Sequence, residues 1–270
     1  MYTLKRLWAG FLDLILPVRC LFCHKIVETY RWVLPICQED YNKLPRIEGP
    51  VCQICGLPLG RELFYLSYDI TKDPAPACGT CRRRFNFIEF TLAPFAYRGR
   101  MQKIIHSWKF GVNKNWGDFL GELLAGNLPG SLPEENWDYL VPIPLTVVRR
   151  EQRGFNQARQ LANKLSKKYN LPVKMALRKE QQTTAQSLLQ RKQRLENPVN
   201  SFGLCFEQQI KNKNLIVVDD IYTTGATVRE ACRTLLEAGA RKTAVIVLAR
   251  SLPVEAGYGQ TNPEENWLPV

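Results

Sequence analysis

Acidic residues are scarce in this 270-residue chain, where 25 Asp and Glu stand against 37 Lys and Arg for a formal net charge of +12. A surplus of that size excludes an electrically neutral surface and points to a polyanionic partner or a heavily phosphorylated ligand. Histidine is scarcer still, with only His24 and His106. A histidine base therefore has two candidates, His106 falls on a helical face, and no nucleophile or general base stands out. No uninterrupted apolar run reaches the roughly 20 residues needed to span a membrane. The stretch MYTLKRLWAGFLDLILPVRC comes nearest, but Asp13 interrupts it and no small-residue cleavage site follows. Its Leu4, Leu7, Trp8, Phe11, Leu12 and Ile15 have the spacing of an amphipathic helix, and the chain reads as cytoplasmic. Two nucleotide-binding loops are also missing: no G-x4-G-K-[ST] for ATP, and no G-x-G-x-x-G for a dinucleotide.

What is present divides the chain in two. A hydrophobic content of 45% supports a core of real size, for one large domain or two modest ones. Seven of the nine cysteines fall within the first 81 residues, while Cys205 and Cys232 stand alone and read as small buried hydrophobes. Cys52, Cys55, Cys78 and Cys81 form a complete four-thiolate set, built from two C-x2-C knuckles with Gly56 just beyond the first and Gly79 within the second. In a cytoplasmic chain this spacing predicts structural zinc rather than disulfides. Cys20, Cys23 and Cys37 are one ligand short. Asp40, three residues after Cys37, stands where a fourth ligand would fall; His24 is the alternative, or the set holds no metal.

From about residue 90 strand and helix patterns alternate. FTLAPFAYRG reads as a strand ending at a turn, and MQKIIHSWKFG through FLGELLAGNLPG as helical. WDYLVPIPL reads as a strand, GFNQARQLANKLSKKYN as a helix and PVKMALRK as a second strand. NLIVVDD and KTAVIVLAR are continuous apolar runs separated by the helix ATVREACRTLLEAGA. That order is the pattern of a parallel βαβ unit buried on both faces, so the second part is an α/β sheet.

Residues 214 to 228, NLIVVDDIYTTGATV, place two carboxylates, Asp219 and Asp220, at the end of such a strand. Like charges side by side and the cost of desolvating them call for a ligand that uses them. The turn Thr223, Thr224, Gly225, Ala226, Thr227 offers backbone N–H groups, hydroxyls and a helix N-terminus, which together make a phosphate cradle. Acids beside a phosphate cradle suit a sugar phosphate, and ligands of open parallel sheets bind at the carboxyl ends of strands. A second feature is charge: from Arg149 to Arg194 thirteen basic residues face two acidic ones, which is +11 in 46 residues. A basic stretch of this kind is what neutralising a nucleic-acid backbone requires, and Trp108, Phe110 and Phe155 are candidates for base stacking, with burial in the core the alternative for each.

VVDDIYTTGAT resembles the phosphoribosyl pyrophosphate (PRPP) binding motif of type I phosphoribosyltransferases. The segment RRxxRGFNQA, with Arg149, Arg150, Arg153, Gly154 and Phe155, resembles the ComF family of competence-associated proteins. So do the spacing of Thr183, Gln186, Leu189, Arg194 and Asn197, the segment YRGRMQKIIHSWKF and the cysteine knuckles. Asp40 departs from the cysteine that many members carry. The resemblance implies a small double zinc-ribbon-like domain over 1–90 and a phosphoribosyltransferase-like domain over 91–250, a parallel sheet flanked by helices; 251–270, without periodicity, reads as a disordered tail. It further implies PRPP with Mg²⁺, ribose hydroxyls on Asp219 and Asp220, the 5-phosphate on Thr223 to Thr227, and Arg149, Arg150 and Arg153 offsetting pyrophosphate charge. The segment between Lys179 and Asn197 is expected to be a mobile loop. Partners implied are single-stranded DNA and other DNA-uptake proteins; the alternative is an active transferase that displaces pyrophosphate from PRPP with a nitrogenous acceptor.

Overall fold

The computed structural model describes residues 18–27, 36–59, 76–83, 87–110, 116–133, 136–179, 201–205 and 207–253. The expected N-terminal amphipathic helix, the segment 180–197 and the tail from 254 onward lie outside the described residues. In chain order the elements are α1 (Gln38–Asn42), α2 (Gly79–Arg82), β1 (Thr91–Leu92), β2 (Phe95–Ala96), α3 (Gly99–Phe110), α4 (Trp116–Gly126), β3 (Tyr139–Pro142), α5 (Val147–Arg153) and α6 (Gln157–Tyr169). Then follow β4 (Leu177–Lys179), β5 (Phe202–Leu204), a 3-10 turn at Glu207–Gln209, β6 (Asn214–Tyr222), α7 (Ala226–Glu237) and β7 (Lys242–Arg250).

The main sheet has the order β1-β7-β6-β3, with β2 also on β7, and all its pairs are parallel. Alternation along β6 and β7 explains why 215–218 and 244–249 are apolar without a break. Ile216, Val218, Ala244, Ile246 and Leu248 face one core, which contains α3, α4 and α6; Leu215, Val217, Val245 and Val247 face a second, which contains α7 and the cysteines Cys52, Cys55 and Cys81. A strand buried on both faces has no position for an outward polar residue, so its sequence cannot alternate. Helix α6 starts where the Asn156 side chain accepts a hydrogen bond from the Arg159 N–H at 3.1 Å, and it buries Ala158, Leu161, Ala162 and Leu165 at helical spacing.

Three sequence expectations change in detail. FTLAPFAYRG is two short strands rather than one, because Pro94 between them has no N–H to give the ladder. PVKMALRK does not add a long strand to the sheet. It touches β3 at the Leu140–Val173 bridge and then leaves to pair β4 with β5 antiparallel. Exposed Arg178 on that segment suits a one-sided hairpin and not a sheet covered on both faces. VVRREQR, after β3, is an additional helix, α5, capped by Thr146 and closed by Gly154 at φ 71°.

Candidate functional site

Strand β3 ends at Pro142, opposite Val218. Asp219 and Asp220 are the next residues of β6, so they lie where the neighbouring strand has stopped and a notch opens at the carboxyl end of the sheet. The Asp220 N–H donates to Asp219 Oδ1 at 2.9 Å. Burial pushes Asp219 up to about 7, and the Asp220 charge pushes the same way against that hydrogen bond and two lysines, Lys109 and Lys179.

The cations around the pair come from three separate elements. Lys109, in the last turn of α3, places Nζ 2.8 Å from Asp220 Oδ2. Arg153 of α5 feels the Asp220 charge while stacking its guanidinium 5.4 Å from the centre of the Phe110 ring. Lys179 is lowered by burial and held up by Asp219; its Nζ lies 3.9 Å from the Phe202 ring centre. Arg149 acts on both Lys179 and Arg153, and Arg150 is exposed on the same helix. Burial raises the Tyr97 hydroxyl, and Asp220 adds to it. Lys109 and Tyr97 carried no assignment from sequence reasoning. Their signal was the YRGRMQKIIHSWKF segment, which marked a family motif without saying where its ends would point.

A magnesium ion fits the acid pair poorly. The outward oxygen of Asp220 is already taken by an ammonium, and the four cations Lys109, Lys179, Arg153 and Arg149 outnumber the three acids Asp219, Asp220 and Glu230. Mg²⁺ keeps several waters and takes one or two carboxylates beside substrate phosphates, and here one of the two carboxylates already carries an ammonium.

The turn after β6 is shaped for a close backbone approach. Gly225 is the N-cap of α7 at φ 79°, and a Cβ there would overlap the Tyr222 hydroxyl beneath it. Thr223 and Thr224 are exposed, and the Ala226 N–H donates to Thr224 Oγ1 at 3.4 Å. The N-terminus of α7 thus follows the acids within a few residues of the same strand end. Of the three aromatic residues considered for stacking, Phe110 is 67% exposed and Trp108 is fully buried, while Phe155 is partly buried against the core. His106 lies on the exposed face of α3 with its ring 4.8 Å from that of Phe110.

Both cysteine sets are assembled. The ligand atoms of Cys52, Cys55, Cys78 and Cys81 lie within 4.8 Å of one another, and so do those of Cys20, Cys23, Cys37 and Asp40. In the first set, hydrogen bonding from Cys55 draws Cys52 down to about 6 and Cys78 is lowered by its neighbours, while hydrogen bonding from Cys52 raises Cys55 and Cys81. In the second, the Cys20 and Cys37 thiols donate to Asp40 Oδ2 at 3.0 and 3.2 Å, while Arg100 of α3 holds Oδ1 at 3.1 Å. Burial alone would raise Asp40, but the three thiols and Arg100 outweigh it and bring it to about 2. Asp40, not His24, completes the second set, and both sets fit zinc in donor type and closeness. The carbonyl of Cys55 meets buried Arg250 at the end of β7, which joins this region to the turn after β6.

Comparison with known proteins agrees with this architecture. Residues 135–263 match the phosphoribosyl transferase domain family, and residues 11–82 match the double zinc ribbon domain family. The chain is 32% identical over 225 residues to competence protein F of Haemophilus influenzae, covering 80% of this chain and 89% of that one. It is 28% identical over 211 residues to competence protein ComFC of Bacillus subtilis, covering 76% and 79%. It is also 28% identical over 248 residues to DNA utilization protein YhgH of Escherichia coli K12, covering 88% and 100%. Among the described residues no helix is long and apolar enough to cross a membrane.

Proposed function

The chain belongs to the ComF family of competence proteins, and from that premise we propose that it handles DNA entering the cell, binding PRPP in the notch of β6 and single-stranded DNA on the adjoining basic face. The observation that carries the ligand half is an acid pair at the end of β6 followed, across a short glycine turn, by a helix N-terminus. Ribose hydroxyls would donate to Asp219 and Asp220, and the 5-phosphate would accept from the N–H groups of Thr223, Thr224, Gly225, Ala226 and Thr227. Arg149 and Arg153, one helical turn apart on α5, would face the pyrophosphate, with Arg150 beside them.

Helix α5 supports the DNA half. None of its residues is buried, Val148 is 61% exposed, Arg149 and Arg150 are exposed, and Arg153 stands 5.4 Å from the centre of the exposed Phe110 ring. Exposed cations beside an exposed ring suit phosphates and unstacked bases. Zinc in both cysteine sets would be structural, because each is small and the four-cysteine set packs on the sheet through Cys52, Cys55 and Cys81. In this reading the protein works in the cytoplasm, alongside other DNA-uptake proteins.

Two measurements test it. Calorimetry should show PRPP binding that is lost in the Asp219→Asn/Asp220→Asn variant; unchanged affinity would remove the site. Fluorescence anisotropy with a labelled oligothymidine should show affinity falling steeply with salt, and a flat response would remove the DNA half.

A further inference from the structure

We propose that Lys109 takes the place of a divalent cation at the acid pair, so that this pocket binds PRPP without requiring Mg²⁺. The proposal rests on the PRPP reading of the notch. Lys109 Nζ lies 2.8 Å from Asp220 Oδ2, and the two side chains are only 18% and 13% exposed. The lysine is not a loose surface chain that drifted onto an acid. It is carried by α3, whose Met101, Ile104, Ile105 and Trp108 are fully buried, and it sits at the helix C-terminus, where the backbone dipole favours a cation.

Charge around the pair leads the same way. Four cations, Lys109, Lys179, Arg153 and Arg149, act with three acids, Asp219, Asp220 and Glu230, which leaves one positive charge in excess before any ligand arrives. A divalent ion added there would meet net repulsion and an occupied carboxylate oxygen. A ligand carrying a phosphate and a pyrophosphate meets the opposite, since the same cations attract it. Burial and the neighbouring charge also bias Asp219 toward its acid form, and a protonated carboxyl can donate to a ribose oxygen as well as accept from a hydroxyl. Neither property depends on a bound metal.

Calorimetry of the full-length protein with PRPP, in excess chelator and in millimolar Mg²⁺, decides it. The wild-type Kd should agree between the two conditions within about threefold, and Lys109→Met should bind about tenfold or more weakly in chelator and recover part of the loss in Mg²⁺. Lys109→Arg should keep the metal-independent behaviour. Zinc content and circular dichroism establish that the variants are folded; should Lys109→Met fail that check, the wild-type comparison still decides. Binding by the wild type only in Mg²⁺ overturns the proposal and leaves the PRPP reading standing. Binding in neither condition overturns that reading and this proposal with it.

Discussion

Arg250, the last residue of β7, donates through Nε to the backbone carbonyl of Cys55 at 2.9 Å. Its Nη1 donates to the carbonyls of Tyr222 and Thr223 at 3.1 and 2.6 Å, and its guanidinium lies 4.5 Å from the Tyr222 ring centre. One buried cation therefore joins a cysteine knuckle to the start of the turn after β6.

Replacing Arg250 should disturb both sites together. Arg250→Met would strand several buried carbonyls, at a cost of about 2–4 kcal/mol. Thermal denaturation should report that loss, accompanied by weaker PRPP binding and faster release of zinc to a chelating dye. Loss of stability with both ligands held normally would show that the clamp does not position either site.

Gly225 is needed for both shape and space. Gly225→Ala would put a Cβ at φ 79° and against the Tyr222 hydroxyl, for a strain of about 1–3 kcal/mol. Phosphate-dependent binding should fall at least tenfold. Adding Tyr222→Phe should not restore it, because the ring carbons as well as the hydroxyl occupy the space a Cβ would take. Rescue by Tyr222→Phe would mean that the hydroxyl alone sets the constraint.

The raised Asp219 carboxyl gives a signed pH dependence. Its folded value of about 7 lies above its unfolded value, so its contribution to stability is intact below the unfolded value and is lost as pH climbs toward 7. Asp219→Asn should therefore stabilise the ligand-free protein more at pH 8 than at pH 5, by about 2 kcal/mol. A difference in melting temperature that is the same at both pH values would show that Asp219 ionises normally in the fold.

Each cysteine set should hold one zinc ion. Native mass spectrometry should find two ions in the wild type and one in Asp40→Ala, with Asp40→Cys restoring the second. Two ions in Asp40→Ala would show that another group supplies the fourth ligand. Arg100→Met, which frees Asp40 Oδ1, should keep the count but weaken retention about tenfold in chelator competition.

Helix α5 and Phe110 should contribute to single-stranded DNA binding in different ways. Arg149→Ala and Arg150→Ala should each flatten the slope of log K against log salt by about 0.7, whatever the oligonucleotide sequence. Phe110→Ala should weaken binding by about 1–3 kcal/mol with little change in slope, since stacking releases no counterions. Unaltered slopes would move the DNA contact off this face.

Local pattern was enough for the βαβ unit of β6, α7 and β7, for the position of the acid pair and for the glycine turn. Strand period, apolar runs and glycine preference act within a few residues and need no knowledge of what folds around them. The cysteine sets were legible for the same reason, since knuckle spacing alone brings two thiolates together; only the choice of Asp40 over His24 needed the folded chain. Tertiary structure decided the rest. Trp108 and Phe110 are two residues apart in one helix, and which of them faces solvent depends on where α3 docks. The partner of Asp220 comes from that same helix, far upstream, and the Arg250–Cys55 contact joins residues 195 positions apart. Such pairings are set by packing across the sheet, where helices and knuckles from distant sequence meet, and no short window of residues encodes them.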